Sequence, residues 1–213
     1  MTIRLVLADD HAIVREGLKR IVGDVADLQV VGEAADGTEV MQRVRDLEFE
    51  VLVLDLSMPG RSGMELIKLV KAEKPRLRIL VLSMHQETQY AVRAIKSGAS
   101  GYLTKESAPA QLEQALRKIA AGGAYVSAEV AEQLALGAMP GGPGAAPHEA
   151  LSDREFDVLR RLAVGDSVTD VASALNLSVK TVSSHKANAM AKLGLHNQTD
   201  LVRYALRHGL IEP

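Results

Sequence analysis

Val51-Leu52-Val53-Leu54-Asp55-Leu56-Ser57-Met58-Pro59-Gly60 joins an unbroken aliphatic run to a lone carboxylate and a turn. Four aliphatic residues without alternation read as a short strand buried on both faces, as in the middle of a parallel sheet. Pro59-Gly60 stops it. Working outward, Ile3–Ala8, Gln29–Glu33, Ile79–Leu82 and Gly101–Leu103 have the same strand character. Between them lie helical patterns. His11–Val22 sets Val14, Leu18 and Ile21 on one face, and Gln111–Ala120 does so with Leu112, Ala115, Leu116 and Ile119. Five such β–α units predict a doubly wound α/β domain with a parallel five-stranded sheet.

The chain has 213 residues, room for two domains. With 47% hydrophobic and 24% charged residues, a largely disordered chain is excluded. No apolar stretch approaches the ~20 residues of a membrane span, and no signal peptide opens the chain, so a cytoplasmic protein that does not enter the membrane is expected. The absence of cysteine excludes disulfides, thiolate metal sites and cysteine nucleophiles. A net charge of −2 gives no global positive field, so any nucleic-acid binding must come from a local patch. Gly137–Pro147 holds four Gly and three Pro and reads as a linker. A short helix, Ser127–Leu136, precedes it with Ser127 as N-cap. The expected division is a first domain over 1–122, a linker over 123–147 and a second domain over 148–213.

Ligands of open parallel sheets bind beyond the carboxyl ends of the strands. There the first strand delivers Asp9 and Asp10, the third Asp55, the fourth Ser83, and the fifth Thr104 and Lys105. Three clustered carboxylates repel one another, and a hard cation such as Mg²⁺ relieves the repulsion. One carboxylate can then act as nucleophile toward a phosphoryl group. Asp55, alone at the tip of the central strand, is the candidate. Lys105 would neutralise a phosphoryl oxygen, and the Ser83 hydroxyl would hydrogen-bond another.

The second part shows no strand alternation. Ser152-Asp153-Arg154-Glu155 is a capping box that opens a helix ended by Gly165. Val168–Leu175 and Val179–Leu193 flank the turn Asn176-Leu177-Ser178, and a last helix covers about Thr199–Arg207. This spacing predicts a helix-turn-helix. From Glu149 to Pro213 eight Lys and Arg balance eight Asp and Glu, yet Val179–Leu195 carries Lys180, Lys186 and Lys192 and no acid. On a helical wheel Val182, Ala189 and Leu193 face inward. Lys180, Ser184, Ala187, Asn188 and Ala191 face outward, a small polar surface that can enter a major groove about 12 Å wide. Lys180, Ser184 and Asn188 are placed to reach base edges, with Ser183 on one shoulder. Thr181, His185 and Lys192 are placed to touch phosphates. Lys186 lies near the inward face. The plain alternative is a solvated basic helix in a small bundle.

Both parts resemble known families. Ala8-Asp9-Asp10-His11, Asp55 to Gly63, Leu82-Ser83 and Gly101-Tyr102-Leu103-Thr104-Lys105 are similar to a bacterial response-regulator receiver domain. The resemblance implies that a sensor histidine kinase phosphorylates Asp55. It also implies that Mg²⁺ is held by Asp10 directly, by Asp9 mainly through water, by Asp55, and by the Ser57 backbone carbonyl. Ser83 and Tyr102 resemble the family's hydroxyl and aromatic switch pair, with Ser in place of the commoner Thr. Residues 151–211 resemble the LuxR-type helix-turn-helix of NarL/FixJ-type regulators, in Leu151 to Glu155, Lys180-Thr181-Val182, His185, Asn188 and Lys192-Leu193. Val168-Thr169-Asp170 stands where that family usually has Asn-Lys-Glu, so one basic contact is missing. A phosphorylation-controlled transcription factor that binds double-stranded DNA as a homodimer, not an enzyme, is the reading implied. Three alternatives use the same residues: a Mg²⁺-dependent aspartate-nucleophile phosphohydrolase, a regulator that docks on protein, and a transcription factor without phosphate control.

Overall fold

All five residues of Val51–Asp55 are buried, and this strand, β3, is the middle strand of a parallel sheet of order β2-β1-β3-β4-β5. The architecture comes from a computed structural model, which describes residues 2–58, 63–84, 88–138 and 146–211. The other strands are β1 (Ile3–Ala8), β2 (Leu28–Ala34), β4 (Arg78–Ser83) and β5 (Gly101–Thr104). The helices between and after them are α1 (Ala12–Gly23), α2 (Gly37–Asp46), α3 (Gly63–Glu73), α4 (Thr88–Lys96) and α5 (Ala108–Ala120). The expected α/β sheet is present, with each strand within two residues of its predicted bounds. Helix α5 begins earlier than expected, at Ala108, because Pro109 suits a helix's first turn.

The strand period explains the two-sided burial. Leu5, Leu7, Val51, Val53, Leu80 and Leu82 join one core with Leu18 and Val22 of α1 and with Leu112, Leu116 and Ile119 of α5. The alternating Leu52, Leu54, Ile79 and Val81 are buried too, as are Val40 and Val44 of α2 and Leu66, Ile67 and Val70 of α3. Each fully buried side chain of this size contributes about 1.5–3 kcal/mol. Helix α3 starts close behind β3 only because residue 63 is glycine. A Cβ there would stand 2.6 Å from the Leu56 Cα and 2.8 Å from its carbonyl oxygen.

The chain divides into two compact units, Met1–Glu132 and Gln133–Pro213. The division falls inside helix α6 (Ala128–Ala138), whose Val130 N–H donates to the Ser127 hydroxyl. Tyr125 and Val130 thus belong to the first unit, beyond the expected boundary at residue 122. Of the Gly/Pro-rich run, residues 139–145 lie outside the described residues. Pro147, read as linker, instead opens a short 3-10 turn, Pro147–Ala150, whose His148 is buried.

The second unit contains α7 (Asp153–Val164), α8 (Val168–Ala174), α9 (Val179–Leu193) and α10 (Gln198–Arg207). Ser152, Ser167, Ser178 and Asn197 cap their N-termini. Asn176, in the turn between α8 and α9, has φ of 51°. Phe156, Leu159 and Leu162 of α7, Val171, Val182, Ala189, Leu201 and Ala205 form the core. His148 packs among them, with Nδ1 3.1 Å from the Tyr204 hydroxyl and its ring 5.4 Å from that of His208. Among the described residues no helix is long and apolar enough to cross a membrane.

Candidate functional site

Register assembles the first site. Ala8 pairs with Leu54, so Asp9 follows beside Asp55. Asp55 pairs with Leu82, which sets Ser83 one step further along the neighbouring strand. Ser83 pairs with Thr104, and the Lys105 N–H donates to the Ser83 carbonyl at 2.8 Å. Residues from four strands therefore meet at one sheet edge, although Asp55 and Lys105 are fifty positions apart in sequence and Asp9 lies further still from Lys105.

Lys105 organises the pocket. Its Nζ lies 2.6 Å from Asp9 Oδ2 and 2.8 Å from Asp55 Oδ2. Asp9 and Asp55 are each 1% exposed. The other Asp55 oxygen accepts the Ser57 N–H at 3.0 Å. Burial raises the Asp55 pKa, and the negative Asp9 beside it acts in the same direction, against the Lys105 and Ser57 donors. Burial alone would lower the Lys105 pKa, but the two carboxylates overcome it and hold the ammonium charged. Asp10, by contrast, is exposed. Ser83 is fully buried, and Tyr102 is 8% exposed.

Two residues beside these carboxylates were not singled out by sequence reasoning. The His11 N–H donates to Asp9 Oδ1 at 2.8 Å, and its Nδ1 lies 2.9 Å from Asp10 Oδ1. Arg15 donates to the Asp9 carbonyl at 2.6 Å and is itself held by Glu33 at 3.2 Å. His11 was visible as the residue after two acids, whereas the Arg15–Glu33 pairing depends on how α1 crosses β2 and has no local signal. Asp9, Asp10, His11 and Asp55 each offer a ligand atom, all within 4.8 Å of one another. Such a set, dominated by hard oxygen donors, fits a small divalent cation, and the ammonium between Asp9 and Asp55 shows that the pocket already demands positive charge.

In the second unit α9 turns Val182 and Ala189 into the core and leaves Lys180, Ser183, Ser184, Ala187, Asn188 and Ala191 exposed, as the wheel predicts. Thr181, His185 and Lys186 are half-buried. The Ser183 and Ser184 hydroxyls donate to the carbonyls of Val179 and Lys180. Lys192, expected at a phosphate, is exposed, and its ammonium lies 2.6 Å from the buried carboxylate of Glu155. That carboxylate also closes the Ser152 capping box. Glu155 was read as a cap, but its second partner lies 37 positions away and was not foreseen.

Residues 5–117 match the family described as response regulator receiver domain, and residues 149–205 match the bacterial regulatory proteins of the luxR family. The response regulator UvrY of Escherichia coli K12 is 34% identical over 208 residues, spanning 98% of this chain and 95% of that protein. The oxygen regulatory protein NreC of Staphylococcus epidermidis is 38% identical over 216 residues, spanning 98% and 99%. Among solved structures, RcsB of Salmonella enterica serovar Typhimurium bound to the promoter rprA with phosphomimetic BeF3⁻ is 34% identical. It aligns with a TM-score of 0.66 over 96% of this chain and 98% of that one.

Proposed function

Because the chain belongs to the two-component response regulators that join a receiver domain to a DNA-binding domain of the LuxR type, we propose that Asp55 is its phosphoryl acceptor and that loading it controls dimerisation and DNA binding. The observation that carries this reading is the buried Asp55 carboxylate, held between the Lys105 ammonium and the Ser57 N–H at the end of the central strand.

The donor is a phosphohistidine of a sensor kinase. An Asp55 oxygen attacks phosphorus, the nitrogen–phosphorus bond breaks, and the imidazole leaves and takes up a proton. The product is an acyl phosphate. Lys105 neutralises a phosphoryl oxygen, and Ser83 offers its hydroxyl to another. Asp9, Asp10, Asp55 and the Ser57 carbonyl would hold Mg²⁺, which supplies positive charge to the phosphoryl oxygens. Buried Ser83 and Tyr102 then favour one of two arrangements of the fourth and fifth strand–helix units.

On the DNA side, Lys180, Ser184 and Asn188 face base edges, with Ser183 beside them, and Thr181, His185 and Lys192 lie toward phosphates. One helix-turn-helix supplies one recognition helix, so two copies on half-sites about one helical turn apart supply specific affinity. The solved complexes of RcsB dimers with DNA support this reading. A phosphohydrolase acting on small esters is disfavoured because such enzymes usually place two acids one residue apart on one strand, whereas Asp9 and Asp10 are adjacent.

The test combines acetyl phosphate and Mg²⁺ with mass measurement, sedimentation and DNA titration. The wild-type protein should gain one phosphate, a larger dimer fraction and tighter binding, and Asp55→Asn should gain none of these. Phosphate uptake by Asp55→Asn, or equal affinity with and without phosphate, would sink the proposal.

A further inference from the structure

Strand β5 ends the sheet, so its outer side would present unpaired backbone groups. Tyr125 covers them. Its N–H donates to the Ser100 carbonyl at 3.1 Å, and its carbonyl accepts the Tyr102 N–H at 2.8 Å, a one-residue parallel bridge opposite Gly101. Glycine lets the strap approach closely at that point. A Cβ on residue 101 would stand 3.0 Å from the Tyr125 carbonyl oxygen, 3.1 Å from a Leu80 methyl and 3.2 Å from the Tyr125 Cβ. The Tyr125 hydroxyl lies 3.1 Å and 3.3 Å from the side-chain carbonyls of Gln111 and Gln114 on α5. Two residues later Ser127 caps α6, and Val130 of its first turn is 4% exposed. Beside this segment runs an open groove of about 710 Å³, lined by Tyr102, Thr104, Ser107, Gln111, Val126 and Val130.

We propose that residues 125–130 form a strap that reports the position of Tyr102 to the start of the linker helix. The proposal rests on the reading of Asp55 as acceptor and Tyr102 as switch. One residue does both jobs: the Tyr102 side chain is buried, and its backbone N–H holds the strap closed. The groove gives the ring space to swing outward without disturbing the inner strands. An outward swing brings the ring into the groove beside Val126 and Val130, where it displaces the strap, breaks the bond between the Tyr102 N–H and Tyr125 and frees the first turn of α6. A buried Tyr102 and a closed strap occur together in this structure, so a change that favours the buried ring also favours the closed strap; with Ser83 and Tyr102 as the switch pair, loading Asp55 is that change.

The test is amide hydrogen exchange on the full chain, with and without acetyl phosphate and Mg²⁺. The amides of Tyr102 and Tyr125 should exchange about tenfold more slowly in the loaded protein. Gly101→Ala should push the strap off, and Tyr125→Pro, which removes the N–H donated to Ser100 and leaves the sheet interior intact, provides a second route if the first variant fails to fold. In either variant the strap should exchange fast in both states, and the ratio of loaded to unloaded DNA affinity should fall toward one. Uptake of phosphate, read by mass, should be unchanged, because both substitutions lie away from the Lys105 end of β5. Equal strap exchange in loaded and unloaded wild type overturns the proposal, as does a variant with a free strap and a wild-type affinity ratio. A wild-type chain that takes up no phosphate overturns the reading of the acidic pocket and the strap with it, and the mass alone identifies that case.

Discussion

Lys105 sets its ammonium within 3 Å of both Asp9 and Asp55, two carboxylates removed from water. Removing one partner of a buried pair costs about 3–5 kcal/mol, because the remaining charge is stranded. Lys105→Met should therefore lower stability by about that much in chelator, and a divalent cation should restore part of it. Denaturant unfolding with and without millimolar Mg²⁺ checks this: Mg²⁺ should shift the midpoint of Lys105→Met more than that of the wild type. Glu155 makes a second residue-level case. Burial pulls its pKa up, but Lys192 and the Ser152 donors outweigh burial and hold it below the ordinary 4.5. A folded pKa below the unfolded one stabilises the unit fully above about pH 4.5, and the gain vanishes as pH falls through the folded value. Glu155→Gln should thus cost about 1–2 kcal/mol at neutral pH. The difference from wild type should narrow as pH falls below the ordinary glutamate value, as acid unfolding followed by circular dichroism would show. Lys192→Ala is consequently a poor probe of phosphate contact, since it also strands Glu155. The Asp, Ser and Lys of the pocket were legible because each ends a strand. The Glu155–Lys192 pair was not, because only the packing of α7 on α9 brings its members together.

At the scale of elements, the turn between α8 and α9 depends on Asn176 and its φ of 51°. A β-branched residue there pays about 1–2 kcal/mol for the left-handed conformation, whereas glycine adopts it without that penalty. Asn176→Val should destabilise the second unit by about that amount and Asn176→Gly should not, as urea midpoints would report. The turn was visible in Asn176-Leu177-Ser178, and α9 ends where its sequence pattern ends, because Ser178 and Gly194 punctuate both ends. Helices α2, α3 and α4 were sensed only as spacing between strands. Helix α3 begins on Gly63, and its approach to Leu56 is a fact of packing that no local pattern encodes. The Pro147–Ala150 turn was missed for the opposite reason: a Pro at the end of a Gly/Pro run reads as linker until its neighbour His148 is seen buried.

For the whole molecule, strand order matters more than strand identity. Alternation of strands and helices predicts a parallel sheet, but the acidic pocket exists because β1 lies between β2 and β3 and so brings Asp9 to Asp55. The same order has a kinetic consequence. Pairing β1 with β3 must wait until the intervening β2 and two helices are looped out, whereas the second unit is all-helical and most of its backbone hydrogen bonds close within single helices. Non-local pairing slows folding, and local contacts speed it. Refolding from denaturant should therefore be biphasic, with a fast helical phase sensed by Tyr204 and a slow one sensed by Tyr90, Tyr102 and Tyr125. Substituting Tyr204 by Phe should remove only the fast change in tyrosine fluorescence. During synthesis the order reverses. At about 5–20 residues per second, translating the second unit takes several seconds, longer than a mixed α/β domain of this size needs to fold. The slow half emerges first, so the ribosome's own pace lets the sheet close before the DNA-binding helices can interfere with it.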